Sequence, residues 1–233
     1  RYIMLLNSDA SVLRGALALL VEALDSDIKV GAVGPCVLNP DGTIQNSYGS
    51  LPSVITEIIG PYAFDIFTKP WGKLGQRHAK TAVGAAKCMV VDRVSFACTM
   101  IRQEALAQIG FLDERFLFYS EDYDWFRRLK SAGWRVLFCP QAQVMHYWGG
   151  SSRMRSDWAI MQLYRSKRLY YRKYGGCALE LLLRAGLLCR WSFKVLAALV
   201  IWPLKPKRSN QMVCQTLKLM RDILTEFEPL SEA

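Results

Sequence analysis

A chain of 233 residues with 52% hydrophobic and 12% aromatic side chains can bury one substantial core plus an appendage, which excludes a disordered chain. Its net charge of +10 is uneven: residues 151 to 233 hold 15 Lys and Arg against 6 Asp and Glu, so the basic character belongs to the tail. The seven cysteines, Cys36, Cys88, Cys98, Cys139, Cys177, Cys189 and Cys214, are odd in number, scattered and free of any Cys-x-x-Cys pair. That spacing argues against a zinc knuckle or a disulfide framework and fits a reducing, cytosolic setting.

The chain begins at Arg1 without an initiator Met or a signal-peptide pattern, and Tyr2-Ile3-Met4-Leu5-Leu6 reads at once as a buried strand. An upstream segment is therefore expected. This first run ends at Asn7-Ser8-Asp9, the pattern of a strand buried on both faces of a parallel sheet. Residues 11 to 24 carry Leu13, Leu17, Leu20, Val21 and Leu24 at helical spacing. Val30 to Leu38 is a second apolar run, closed by the turn signal Asn39-Pro40-Asp41-Gly42. Strand, helix, strand implies a layered α/β fold.

Residues 49 to 80 show no clean period and read as a long surface excursion on the acceptor side. Val90 to Ile101 is β-rich, Gln103 to Ile109 predicts a short helix ending at Gly110, and Glu121 to Ala132 a helix ending at Gly133. Trp134 to Phe138 and Gln143 to His146 read as two short strands around Pro140. From Asp157 the pattern turns helical and basic, with Arg165, Lys167, Arg168, Arg172 and Lys173 before Gly175-Gly176. Leu179 to Leu204 follows, apolar but interrupted by Arg184, Arg190 and Lys194. Its longest uncharged stretch is Val195 to Leu204, short of the roughly 20 residues a spanning helix needs. The expected domains are a catalytic part over 1–156 and a basic helical tail over 157–233 that lies on a membrane surface; a helical pair packed on the sheet is the alternative.

Three constellations could carry chemistry. Asn7-Ser8-Asp9 stands at a strand's carboxyl end, where open α/β sheets place ligands. One carboxylate there suits a hard divalent cation whose other positions are filled by water and phosphate oxygens, and the same triplet also reads as a plain turn. Ser120-Glu121-Asp122-Tyr123-Asp124-Trp125 follows the aromatic run Phe116-Leu117-Phe118-Tyr119. Ser120 can cap a helix whose dipole favours acids in its first turn. Equally, crowded carboxylates beside apolar surface raise one another's pKa, which suits a general base for a sugar hydroxyl. The third is His146 at a strand end, followed by Gly149-Gly150-Ser151-Ser152-Arg153, where a backbone can approach a ligand and a cation can meet phosphate; a lone histidine at such a place also reads as a structural residue.

Taken in order, LLNSDA (5 to 10), VGAVGPCVLNPDGTIQNSYG (30 to 49), IRQEALAQIGFLDERFLFYSEDYDWFRRLKSAGWRVLFCPQAQVMHYWGGSSR (101 to 153) and YRSKRLYYRKYGG (164 to 176) resemble the family 2 glycosyltransferases, in particular their bacterial rhamnosyltransferase-like branch. The resemblance implies a GT-A-like (Rossmann-like) α/β fold with a mixed sheet flanked by helices, here lacking the upstream nucleotide-gripping segment. By it, Asp9 and His146 would hold Mg²⁺ or Mn²⁺, and Asn7, Asp92, His146, Ser151 and Arg153 would contact the donor and its diphosphate. Asp122 would be the catalytic base, with Glu121 and Asp124 as supporting acids. The implied activity is inverting transfer of a sugar from a nucleoside-diphosphate donor to a cell-surface polysaccharide or lipid-linked acceptor, on the cytoplasmic face of the membrane. Rhamnose from dTDP-rhamnose is the first expectation, and another hexose from a UDP or GDP donor the second. Phe96 stands where the family usually has a small residue. The alternative is an inactive, truncated homologue that binds membrane or a protein partner. A nucleic-acid partner is not expected, because the cations are interleaved with long apolar runs.

Overall fold

In the computed structural model, residues 1–59, 87–147, 156–203 and 206–225 are described. Their contacts group 1–51, 87–115 and 121–147 into one compact unit, and 52–59, 116–120, 156–203 and 206–225 into another.

The first unit is built on β3 (Val30–Leu38), whose nine residues are buried but for the last. It runs parallel to β8 (Arg135–His146) on one side and antiparallel to β7 (Cys98–Arg102) on the other. β1 (Tyr2–Leu6) extends the sheet beyond β7, while β2 (Ala10–Val12) and β5 (Met89–Val91) share the far edge of β8, both antiparallel to it. A two-stranded ribbon joins β4 (Tyr48–Gly49) to β6 (Arg93–Val94).

Alternation of side chains along the strands gives the sheet two apolar faces. Val33, Met100 and Leu137 meet Ala16, Leu20, Ala23 and Leu24 of α1 (Ala16–Asp25) on one side. Ala32, Ile101, Val136 and Phe138 meet Ala105 of α3 (Gln103–Ile109) and Trp125, Phe126 and Leu129 of α4 (Glu121–Ser131) on the other. Phe96 belongs to this second core, its ring 5.3 Å from Phe126 and 5.9 Å from Trp125, so it packs under α4. Gly34 is required where the ribbon crosses β3, because a Cβ there would stand 2.5 Å from Val94 Cβ.

Three sequence expectations are corrected. β1 is not buried on both faces of a parallel sheet: it pairs antiparallel with β7, and Ile3 and Leu6 are exposed. An apolar run marks a strand without telling an interior one from an edge. The helix expected from residue 11 starts only at Ala16, after Gly15 at φ 82°, because residues 10–12 pair with Val144–His146 as β2. The two strands expected around Pro140 are one, with a bulge: the register passes from Pro35 opposite Cys139 to Cys36 opposite Gln143, which leaves residues 140–142 unpaired with β3.

The second unit is helical. It contains α2 (Val54–Ile59), α5 (Ser156–Ile201), which breaks at Gly176 (φ 68°), and α6 (Pro206–Thr225). The two halves of α5 fold back on each other: Tyr164 meets Trp191 edge to face at 5.0 Å, and Arg168 reaches the buried Glu180 at 2.9 Å. Lys167 pairs with Glu57, and Arg190 donates to the carbonyls of Glu57 and Ile58, a cation at a helix C-terminus. Arg184 is buried as well. Two of the three cations that interrupt the apolar stretch in sequence therefore point inward. The outward face, through Leu181, Leu182, Phe193, Leu196, Leu199 and Val200, is apolar and exposed over 20 residues, roughly 30 Å of helix.

Candidate functional site

At the end of β1 the chain turns through Asn7-Ser8-Asp9. The Asn7 N–H donates to the Ala97 carbonyl (3.1 Å), the Ala10 N–H to that of Asn7 (3.1 Å), and the Tyr147 N–H to that of Asp9 (2.9 Å). β2 then places Ala10 opposite His146, at the end of β8. The result is a corner in which the nearly buried His146 ring points Nε2 at Asp9 Oδ1 (3.2 Å), with Asn7 Nδ2 at 3.5 Å. On the ring's other side Nδ1 lies 3.0 Å from Gln45 Oε1. Asp9 and Asn7 keep solvent access. The sequence reading brought Asn7, Asp9 and His146 to one ligand, and the structure brings them together; Gln45 it missed.

The second corner is the start of α4. Two consecutive non-glycine residues, Tyr119 (φ 64°) and Ser120 (φ 66°), occupy the left-handed region, a strain of order 1–3 kcal/mol each that clusters at functional sites. Ser120 is not the helix cap anticipated from sequence, for its Oγ is buried without a hydrogen-bond partner, as is Glu121 Oε2. Burial pushes the Glu121 carboxyl up to about 7, and the neighbouring Asp122 charge adds to the effect. Burial also raises Asp122, but the Arg93 guanidinium opposes it, as do the N–H groups of Tyr123, which donates to Oδ1 at 2.8 Å, and of Asp122 itself. Arg93 also lies over the Tyr123 ring at 4.8 Å and donates to the Ser50 carbonyl. No local sequence signal singles it out.

Asp124 is fully buried and paired with Arg128 at 2.9 Å, one helical turn on; Arg128 also donates to the carbonyls of Ile109 and Phe111. Its work is to brace α4 against the end of α3. Asp92 accepts the Leu51 N–H (3.3 Å) and pairs with Lys130, and no contact among the described residues joins it to Asp9 or His146. Ser151 and Arg153 lie outside the described residues. The two corners are linked through residues 93 to 97, with Arg93 beside Asp122 at one end and the Ala97 carbonyl on Asn7 at the other. The four Cα-to-Cα steps from Arg93 to Ala97 span at most roughly 14 Å.

A model of the glycosyltransferase-like family 2 matches residues 1–168. This chain belongs to that family. The mixed sheet between α1 and the α3–α4 layer is the GT-A-like α/β architecture anticipated from its motifs. An N-acetylglucosaminyl-diphospho-decaprenol L-rhamnosyltransferase of Mycobacterium tuberculosis is 29% identical over 154 residues, 63% of this chain and 47% of the relative. An O-antigen biosynthesis protein, RfbC, of Myxococcus xanthus is 28% identical over 125 residues, 54% of this chain and 9% of the relative. The chain thus spans about half the length of the mycobacterial relative or less of its curated matches. Among solved structures, GalNAc-T7 with UDP, GalNAc and Mn²⁺ is similar at 15% identity and TM-score 0.43, covering 73% of this chain and 33% of that one.

Proposed function

We propose that this chain is part of an inverting, divalent-cation-assisted glycosyltransferase that moves a sugar, rhamnose in the first instance, from a nucleoside diphosphate to a saccharide or lipid-linked acceptor. The observation that carries the proposal is the convergence of Asp9 and His146, 137 residues apart in sequence, at 3.2 Å in a solvent-accessible corner. A carboxylate and an imidazole, with the remaining positions open to water and phosphate oxygens, fit Mn²⁺ or Mg²⁺ at a diphosphate. Among the described residues no third His, Cys, Asp or Glu joins them, which leaves those positions for the donor. A cation held there would supply charge neutralisation to the departing nucleoside diphosphate.

Asp122 is the better base of the acidic pair. Burial raises both carboxyls, but the Arg93 guanidinium and the N–H groups of Tyr123 and Asp122 oppose the rise at Asp122, whereas at Glu121 the Asp122 charge adds to it, only that residue's own N–H opposes it, and Oε2 has no partner. Asp122 would take the acceptor hydroxyl's proton onto its carboxylate as that oxygen attacks the anomeric carbon from the face opposite the leaving group, so configuration inverts. Asp124 and Arg128 hold the helix that presents it.

The names of the relatives support the donor and acceptor classes: one is an L-rhamnosyltransferase whose name specifies a lipid diphosphate, the other an O-antigen biosynthesis protein. The exposed apolar face of α5, on a tail rich in Lys and Arg, supports peripheral contact with an anionic membrane, where such acceptors reside. No helix among the described residues is long and apolar enough to cross a membrane. The test is transfer by the full-length protein with a panel of nucleotide sugars, with Mn²⁺, Mg²⁺ or chelator. Metal-dependent consumption of one donor with inverted product supports the proposal; no turnover and no donor binding under any condition overturns it.

A further inference from the structure

The turn after β3 lies outside the acidic corners, yet its hydrogen bonds end on the histidine. Asp41 Oδ1 accepts both the Thr43 hydroxyl (2.6 Å) and the Thr43 N–H (2.9 Å). Thr43 Oγ1 accepts from Asn39 Nδ2 (2.8 Å), Asn39 Oδ1 accepts from Gln45 Nε2 (2.7 Å), and Gln45 Nε2 donates again to the His146 carbonyl (2.9 Å). Each link has one permitted direction. An ionised carboxylate only accepts, so the Thr43 hydroxyl points at Asp41 and offers its lone pair to Asn39; that orients the Asn39 amide, which in turn orients the Gln45 amide. With both Gln45 N–H groups committed to carbonyl oxygens, Oε1 is what faces His146 Nδ1 at 3.0 Å, and Nδ1 must carry the hydrogen.

We propose that Gln45, oriented by Asn39, Thr43 and Asp41, is a positioning residue that keeps the His146 proton on Nδ1 and so reserves Nε2, 3.2 Å from Asp9, for a divalent cation. The inference rests on reading Asp9 and His146 as the cation site. Metal-bound histidines are commonly held this way, by a partner on the ring nitrogen opposite the metal, and losing that partner costs 10–100-fold in affinity. The arrangement at Nε2 agrees. Asn7 Nδ2 can only donate to it, and the Asp9 carboxylate alongside offers a lone pair a negative neighbour that a cation between them would satisfy. Were the hydrogen on Nε2 instead, the ring could bond to Asp9 but could not ligate.

Gln45→Leu removes the acceptor, and Gln45→Glu keeps it while giving up the donors. In the full-length protein, Mn²⁺ titration followed by electron paramagnetic resonance should show Leu weakening affinity about 10–100-fold and Glu staying within a few-fold of wild type. Long-range proton–nitrogen NMR of the metal-free protein should show His146 bearing hydrogen on Nδ1 in wild type and Gln45→Glu, and losing that preference in Gln45→Leu. Transfer by Gln45→Leu should recover at saturating Mn²⁺, a change in the metal requirement rather than in kcat. Thermal melts show whether each variant is folded. A folded Gln45→Leu that binds Mn²⁺ like wild type, or a wild-type His146 with its hydrogen on Nε2, overturns the inference alone. A wild-type protein that takes up no Mn²⁺ overturns the cation-site reading beneath it.

Discussion

Replacing Glu121 by Gln should stabilise the protein relative to wild type by an amount that grows as pH rises. In the unfolded chain this carboxyl ionises near 4.5, whereas in the fold burial and the Asp122 charge move it to about 7. Between those values the folded protein holds a proton that the unfolded chain has released, so stability falls with rising pH, and above 7 the whole penalty is in place. A difference of that size corresponds to about 3 kcal/mol. The amide has the carboxylic acid's shape and no charge. Glu121→Gln should therefore melt close to wild type at pH 4.5 and higher than wild type at pH 8, by roughly 6–12 °C for a chain of this size. Thermal unfolding of both proteins at matched ionic strength, followed by circular dichroism from pH 4.5 to 8, measures this directly. Parallel curves, with the same offset at every pH, would refute the claim that Glu121 is held in an environment hostile to its charge.

Other perturbations follow from particular contacts. Arg128→Met removes the ion pair of the fully buried Asp124 carboxylate and a donor from two carbonyls, so it should cost about 3–5 kcal/mol in urea unfolding, whereas Arg115→Met, removing a half-exposed guanidinium, should cost less. Gly34→Ala should destabilise by about 1–3 kcal/mol or prevent accumulation of folded protein, because the added methyl overlaps Val94. Phe193→Asp with Val200→Asp, both on the exposed apolar face of α5, should abolish sedimentation with vesicles containing anionic lipid and leave the melting temperature unchanged. Unaltered vesicle binding would move the membrane contact elsewhere.

The sequence shows some elements to the residue and hides others for reasons that are physical. β3 is an unbroken apolar run closed by an Asn-Pro-Asp-Gly turn, and α3 stops at Gly110, whose φ of 79° suits the residue without a side chain. Both signals are local. β2 is not, since residues 10–12 continue a helical apolar spacing and become a strand only because the end of β8 is there to pair with them. In the candidate site, Asp9, Asp122 and His146 stand out as acids or a histidine beside strand ends and aromatic runs. Gln45 and Arg93 do not: their chemistry is set by partners 101 positions away in one case and on a helix 29 positions on in the other. Gln45 does sit within the stretch that resembles the family, six positions after Asn39, and a polar side chain just past a rigid turn was the available clue. Asp124 shows the reverse. Its place in the acidic triplet suggests chemistry, and burial against Arg128 gives it a structural task.

The central claim is that Asp122 is the base for sugar transfer, and comparing the full-length wild-type protein with Asp122→Asn tests it most directly. The two proteins should bind the nucleotide sugar with Mn²⁺ alike by calorimetry, while transfer to acceptor falls about 10²–10⁴-fold in the variant. A variant that transfers at the wild-type rate contradicts the account.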